Sequence, residues 1–172
     1  NQFKFSCNQK NIPTDEKNTI YRIYSQLNEK YSFKSQYEIH LIKKIPIGSG
    51  LGGGSSNAAC VLNTLNKIEN LNLNESELLN FAKSIGSDVP FFIDGKVQFV
   101  KGKGEILNKI NSSILKTLFI ILIIPTFQIS TKWAYSKIKK YLHESSDSNK
   151  FPPLDSDVDW QFFNNDFEDV VG

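Results

Sequence analysis

Seven positions constrain this chain more than any others. From Gly48 to Gly54 (Gly-Ser-Gly-Leu-Gly-Gly-Gly) five residues are glycine, set between a stretch that reads as a strand and one that reads as a helix. Such density lets the backbone adopt positive φ without steric cost and come close to a ligand. The unpaired N–H groups that open the following helix, together with its dipole, then favour an anion. Ser55 and Ser56 add hydroxyl donors, and either offers a helix cap. A linker would also be glycine-rich, but linkers rarely sit tightly between a strand and a capped helix. The pattern predicts a phosphate-binding loop.

The flanking sequence supplies the elements. Asn1 to Phe5 starts as if mid-strand. Pro13-Thr14-Asp15-Glu16 predicts a helix start, with Ile20, Ile23, Tyr24, Leu27 and Tyr31 at helical spacing behind it. Tyr37, Ile39 and Leu41 alternate as a strand. After the glycine loop, Ala58, Ala59, Leu62 and Leu65 line a helix. Asn74-Glu75-Ser76-Glu77 resembles a capping box, opening a second helix through Leu78, Phe81, Ala82 and Ile85. Two strands are predicted near Val97–Lys101 and at Leu118–Ile124, joined through Gly102-Lys103-Gly104. Ser130 or Thr131 caps a helix through Ala134, Ile138, Tyr141 and Leu142. His143 to Asp159 reads as a surface loop, and Trp160 to Val171 as a helix start. Strands and helices intersperse without strict alternation, which predicts an α+β fold.

Composition narrows the function classes. The 172 residues are 40% hydrophobic and 22% charged, enough for a packed core. A net charge of +2 argues against a protein built to grip nucleic acid. The longest apolar run, Leu118 to Pro125, is far below the ~20 residues of a membrane span, so no membrane partner is expected. Cys7 and Cys60 have neither framework nor metal-ligand spacing, and no metal site is predicted; a reducing, cytoplasmic setting (bacterial cytosol or plastid-type) fits. Cys60 is expected as a small buried residue. His40 and His143 have no partner set for metal or triad work, and Lys101, Lys103, Lys137, Lys139 and Lys140 read as solvated faces. The absence of methionine and the mid-strand opening are expected of an internal piece of a longer protein.

Several phosphate loops compete. Gly48-Ser49-Gly50-Leu51-Gly52-Gly53 satisfies the dinucleotide pattern, but that pattern needs a strand ending in an acid about 20 residues on. Glu69 lies there between two predicted helices. No Gly-Lys-Ser/Thr closes the loop as a P-loop requires, and a protein-kinase loop sits in a hairpin without the His-Arg-Asp that should follow. Pro46-Ile47-Gly48-Ser49-Gly50-Leu51-Gly52-Gly53-Gly54-Ser55-Ser56-Asn57-Ala58-Ala59 instead resembles the ATP loop of the GHMP kinases. Within them it is most similar to the 4-diphosphocytidyl-2-C-methyl-D-erythritol kinases. Gly86-Ser87-Asp88-Val89-Pro90-Phe91-Phe92, Gly102-Lys103-Gly104-Glu105, Ile129 to Tyr135 and Asn165-Asp166-Phe167-Glu168 resemble further segments of that group, in its order.

The resemblance implies a GHMP kinase fold. A ribosomal-protein-S5-domain-2-like ATP-binding domain would cover 1–113, and the start of a ferredoxin-like α+β domain 114–172. It implies ATP with Mg2+ as cofactors and a small-molecule acceptor, phosphorylated at the 2-hydroxyl in non-mevalonate isoprenoid biosynthesis. Oligomeric state stays open, and so do a homoserine- or mevalonate-type kinase and an inactive nucleotide-binding relative. The group's opening and closing motifs are not in these 172 residues, so the piece alone is not expected to be a competent kinase. Pro46 to Ser56 would hold the nucleotide, with Lys43 and Asn18 near the adenine. Asp88 would act as base, orienting the acceptor hydroxyl and taking its proton. From the residues alone Asp88 reads more readily as a turn former, set beside apolar Phe91 and Phe92 where water would be partly excluded; the resemblance reverses that preference. Thr131 and Tyr135 would meet the acceptor, Tyr135 by stacking on its base or, alternatively, packing in the core.

Overall fold

The computed structural model of the chain describes residues 3–102, 104, 106–110, 119–123 and 129–138, the side chains of Thr131 and Ile138 excepted. The chain divides into two compact units, residues 1–109 and 110–172. The expected boundary at 113 falls outside the described residues, as do the loop predicted over 143–159 and the helix start predicted at 160.

The first unit is α+β. Strand β1 (Phe3–Cys7) leads through helix α1 (Thr19–Tyr31) to strand β2 (Tyr37–Leu41). The two strands pair in parallel, Phe3 opposite Tyr37 and Cys7 opposite Leu41. Both show an alternating pattern of half-buried and exposed residues, as a sheet with one covered face requires. Four aromatics pack together at that face. Phe3 stacks on Tyr24 with ring centroids 3.9 Å apart, and Phe33 meets both Tyr24 and Tyr37 near 6 Å.

Helix α1 begins later than Pro13–Glu16. Asp15 instead forms a local turn, its carboxylate accepting from Lys17 N–H and its carbonyl from Asn18 N–H. This is the competition with helix that an Asx turn offers. Asn18 then caps the helix by accepting from Ile20 N–H at 2.9 Å. The expected stripe is buried at Ile20, Ile23, Tyr24 and Leu27, while Tyr31 is only partly buried against the core.

Helices α2 (Gly53–Ile68) and α3 (Glu75–Ile85) complete the core with α1. Leu62 and Leu65 of α2 are almost fully buried, each stabilising by about 1.5–3 kcal/mol. Cys60 is exposed, against expectation. The buried face of α2 is the one bearing Ala58, Ala59, Leu62 and Leu65, and residue 60 lies off that stripe. A short helix α4 (Phe91–Asp94), absent from the sequence reading, follows α3.

Strands β3 (Gln98–Lys101) and β4 (Ile106–Lys109) form an antiparallel hairpin, Lys101 opposite Ile106. The partner of β3 is thus the segment immediately across the Gly102–Gly104 turn, not Leu118–Ile124. The short hairpin needs little loop closure, and Gly102 and Gly104 take the positive φ of its turn. In the second unit, residues 119–123 are exposed and form no strand. Helix α5 (Thr131–Ile138) follows. Ser130 is at its start, its hydroxyl 3.4 Å from Trp133 N and its carbonyl accepting from Ala134 N–H. Among the described residues no helix is long and apolar enough to cross a membrane.

Candidate functional site

The glycine loop turns sharply between β2 and α2. Gly48, Gly50 and Gly52 have φ of 72°, 73° and 64°, a left-handed conformation that costs an ordinary residue roughly 1–2 kcal/mol. Neither Ser55 nor Ser56 caps the helix. The cap position is Gly52, three residues before Ser55, with no side-chain hydrogen bond to the first turn. The ladder opens with Ser56 N–H donating to Gly52 O at 2.8 Å, and Ser56 Oγ donates to Gly53 O. The amides of Gly53, Gly54 and Ser55 therefore precede the first intrahelical bond.

A cation stands beside them. A Cβ built on Gly53 would lie 2.6 Å from Lys43 Nζ, so the ammonium rests against the start of α2. The main chain of Lys43 is fixed from β1's end, its N–H donating to Asn8 Oδ1 and its carbonyl accepting from Gln9 Nε2. Among the described residues no carboxylate pairs with it. A positive charge at the positive end of a helix is unfavourable by itself; an anion seated between them reverses the sign. Added Cβ atoms at Gly48, Gly50 and Gly54 would meet nothing within 4 Å, so the cradle is open. The open cradle, the uncapped amides and the cation together suit an anion.

Asp88 follows the end of α3. The only arginine in the sequence, Arg22 of α1, donates to Ile85 O and Ser84 O, both at 3.1 Å. It thereby ties down the carbonyl end of α3, which leads into the turn that carries Asp88. Ser87 Oγ donates to Asp88 Oδ1 at 3.1 Å. Asp88 itself is exposed, whereas Val89 and Pro90 are buried. The exclusion of water expected around Asp88 is absent, because the turn directs its burial to the two residues that follow.

The loop and this turn meet. Gly50, Leu51 and Gly52 share one cleft of about 470 Å3 with Ser87, Asp88, Phe91, Phe92, Val100 and Gly104. Gly104 backs onto the acid turn, where a Cβ would stand 2.9 Å from Ser87 O. Phe91 and Phe92 are legible beside Asp88, whereas Val100 is not, since only the fold brings β3 to this cleft. The remaining expected residues divide between the two units. Asn18 spends both ends of its amide locally, Nδ2 donating to Pro13 O as Oδ1 caps α1. Pro46 and Ile47 are exposed ahead of the glycines. In the second unit Tyr135 is 57% exposed while neighbouring Ala134 is buried, and Thr131 opens α5. Among the described residues no cluster of three or more His, Cys, Asp or Glu could hold a metal ion. His40 bonds Ser6 across the sheet, a structural use.

The loop, the uncapped helix and the acid turn fall in a region with known relatives. Residues 18–96 match the family model described as GHMP kinases N terminal domain. Over this span the chain is similar to the N-terminal domain of the GHMP kinases. Sequence relatives point the same way. The chain is 41% identical over 135 residues to the 4-diphosphocytidyl-2-C-methyl-D-erythritol kinase of Syntrophomonas wolfei, covering 78% of this chain and 47% of that protein. It is 42% identical over 137 residues to the enzyme so named from Clostridium tetani, covering 80% and 48%. A solved 4-(cytidine 5'-diphospho)-2C-methyl-D-erythritol kinase superposes with a TM-score of 0.63 at 29% identity, over 79% of this chain and 47% of that one. Homoserine kinase from Cytophaga hutchinsonii shares the fold, with a TM-score of 0.56 at 20% identity over 78% and 46%. The chain spans about half the length of the curated relatives it matches. The glycine loop and Asp88 both lie within the span that matches the family model.

Proposed function

We propose that this chain supplies the nucleotide-binding half of a kinase that phosphorylates the 2-hydroxyl of 4-diphosphocytidyl-2-C-methyl-D-erythritol, a step of non-mevalonate isoprenoid biosynthesis in a cytosolic or plastid-type compartment. The observation that carries the reading is the single cleft joining the glycine loop to Asp88. ATP, when bound with Mg2+, supplies the transferable phosphoryl group. Residues Pro46 to Ser56 surround its phosphates, with the uncapped amides of Gly53, Gly54 and Ser55 and the Lys43 ammonium offsetting their charge. Asn18, at the head of α1, would border the adenine. Asp88 takes the acceptor's hydroxyl proton on a carboxylate oxygen; Ser87 already donates to Oδ1, leaving Oδ2 for that hydroxyl. Tyr135 and Thr131, on α5 of the second unit, remain the candidates for recognising the cytosine.

The test is phosphorylation of a panel of alcohols by the full-length protein, with 4-diphosphocytidyl-2-C-methyl-D-erythritol among them. Asp88→Asn should leave ATP binding nearly intact and cut turnover about 10²–10⁴-fold. Wild-type turnover in that variant would return Asp88 to an ordinary turn residue, and no transfer to any alcohol by the parent protein would sink the reading itself.

A further inference from the structure

The two halves of the proposed site are far apart in sequence, and one side chain bridges them. Phe92, in α4, presses its ring edge on the glycine loop. A Cβ added to Gly52 would lie 2.6 Å from Phe92 Cζ and 2.8 Å from Cε2. The contact falls on the left-handed residue from which α2 starts. Behind it the ring packs on the hydrophobic core and meets Phe91 edge-on, 5.1 Å between centroids.

The path from Phe92 back to Asp88 is stiff. Val89 N–H donates to Gly86 O, Phe92 N–H to Val89 O and Ile93 N–H to Pro90 O, all between 3.1 and 3.3 Å. Val89 and Pro90 anchor this turn in the core. A second tether runs from α2, where Asn63 Nδ2 donates to Ile93 O at 3.0 Å. Helix α4 is therefore fixed to α2 at two points, and Asp88 moves with it.

We propose that Phe92 is a positioning residue whose ring sets the spacing between the phosphate loop and Asp88. The inference rests on the phosphoryl-transfer reading above. If the loop holds the phosphates and Asp88 the acceptor hydroxyl, the thickness of this ring fixes how closely the two reactants approach. Misplacement of about 1 Å at such a junction can cost about 10²-fold in rate.

Two substitutions change that thickness in opposite senses. Phe92→Tyr adds an oxygen on Cζ, the atom nearest Gly52, and Phe92→Leu removes Cζ altogether. In the full-length protein each should lower kcat about 10–100-fold while melting temperature stays close to wild type for the tyrosine variant. Gly52→Ala should be impaired alone, and Phe92→Leu added to it should restore at least about tenfold in kcat by making room for the new Cβ. Amide hydrogen exchange supplies a readout that does not need turnover: residues 50–56 should exchange at least about tenfold faster in Phe92→Leu. Wild-type kcat in both single variants, strictly multiplicative effects in the double variant, or unchanged exchange at 50–56 would each overturn the inference. Loss of transfer in the wild-type protein would instead indict the functional reading, with the exchange result still deciding what Phe92 does for the loop.

Discussion

Helices α2 and α3 begin in opposite ways. At α3, Asn74 Oδ1 accepts from Glu77 N–H and Glu77 Oε2 accepts from Asn74 N–H, both at 3.0 Å, and Glu75 and Glu77 place negative charge in the first turn. At α2 there is a glycine cap, no side-chain bond, no acid in the first turn and a lysine ammonium alongside. The α3 start satisfies its own amides and suits its dipole. The α2 start does neither, although it opens the longer helix. The contrast separates an end built for stability from one left available to an anion, and each end predicts a different response to mutation.

The largest effect is expected at Gly52. Gly52→Val brings a branched side chain to a residue at φ 64° whose Cβ direction is filled by the Phe92 ring. The side chain is directed into α4 rather than toward the open side of the loop. Nucleotide affinity should still fall at least about 100-fold, a loss of about 2.7 kcal/mol, with a drop in melting temperature because core packing is disturbed. Unchanged ATP affinity by calorimetry would show that the loop does not hold the nucleotide.

Lys43→Gln tests the sign of the electrostatics at the same end. Without nucleotide, removing a cation from a helix N-terminus should stabilise the protein slightly, by roughly 0.3–1 kcal/mol at most and less in salt. With nucleotide it should weaken binding about tenfold, the loss of one charge-assisted contact worth about 1.4 kcal/mol. The two changes have opposite signs only if an anion sits between Lys43 and α2. A variant less stable in both states would mean that the lysine serves packing.

Asn74→Ala is the matching test at α3. It should cost about 1 kcal/mol of stability in thermal melts and leave nucleotide affinity unmoved. This end was legible in sequence because both capping partners lie within four residues of each other. The start of α2 was not, since serine is the commoner cap and nothing local reveals that Gly52 fills the position. The same distinction runs through the fold. The stripes of α1 and α2 follow local periodicity, and the Gly-rich loop signals its own backbone. Helix α4 and the contact of Phe92 with Gly52 depend on partners chosen in three dimensions. Asp88 was legible as a candidate, yet its exposure was not, because burial of Val89 and Pro90 decides which way the turn faces.

The smallest effect belongs to a surface network flanking α3 and α4. Lys109 of β4 reaches Asp94 Oδ2 at 3.0 Å and Glu75 Oε1 at 2.9 Å, and Lys96 lies 3.4 Å from Asp94. Hydrogen bonding from Lys109 is the main cause holding the Asp94 carboxyl below its usual range, with Lys96 adding to it. A carboxyl depressed in the folded state binds fewer protons there than in the unfolded chain, so stability rises with pH through that interval. Its contribution is complete above the unfolded value of about 3.9 and is lost as pH falls through the lower folded value. Asp94→Asn should therefore flatten the acid limb of the stability curve while changing neutral-pH stability less than Asn74→Ala does, since the ions are solvent-screened. High salt should shrink the difference further. An acid limb identical in Asp94→Asn and wild type, measured by urea unfolding from pH 6 to 3, would show that Lys109 spends its charge on Glu75 alone, leaving the capped end of α3 with a tether that α4 does not share.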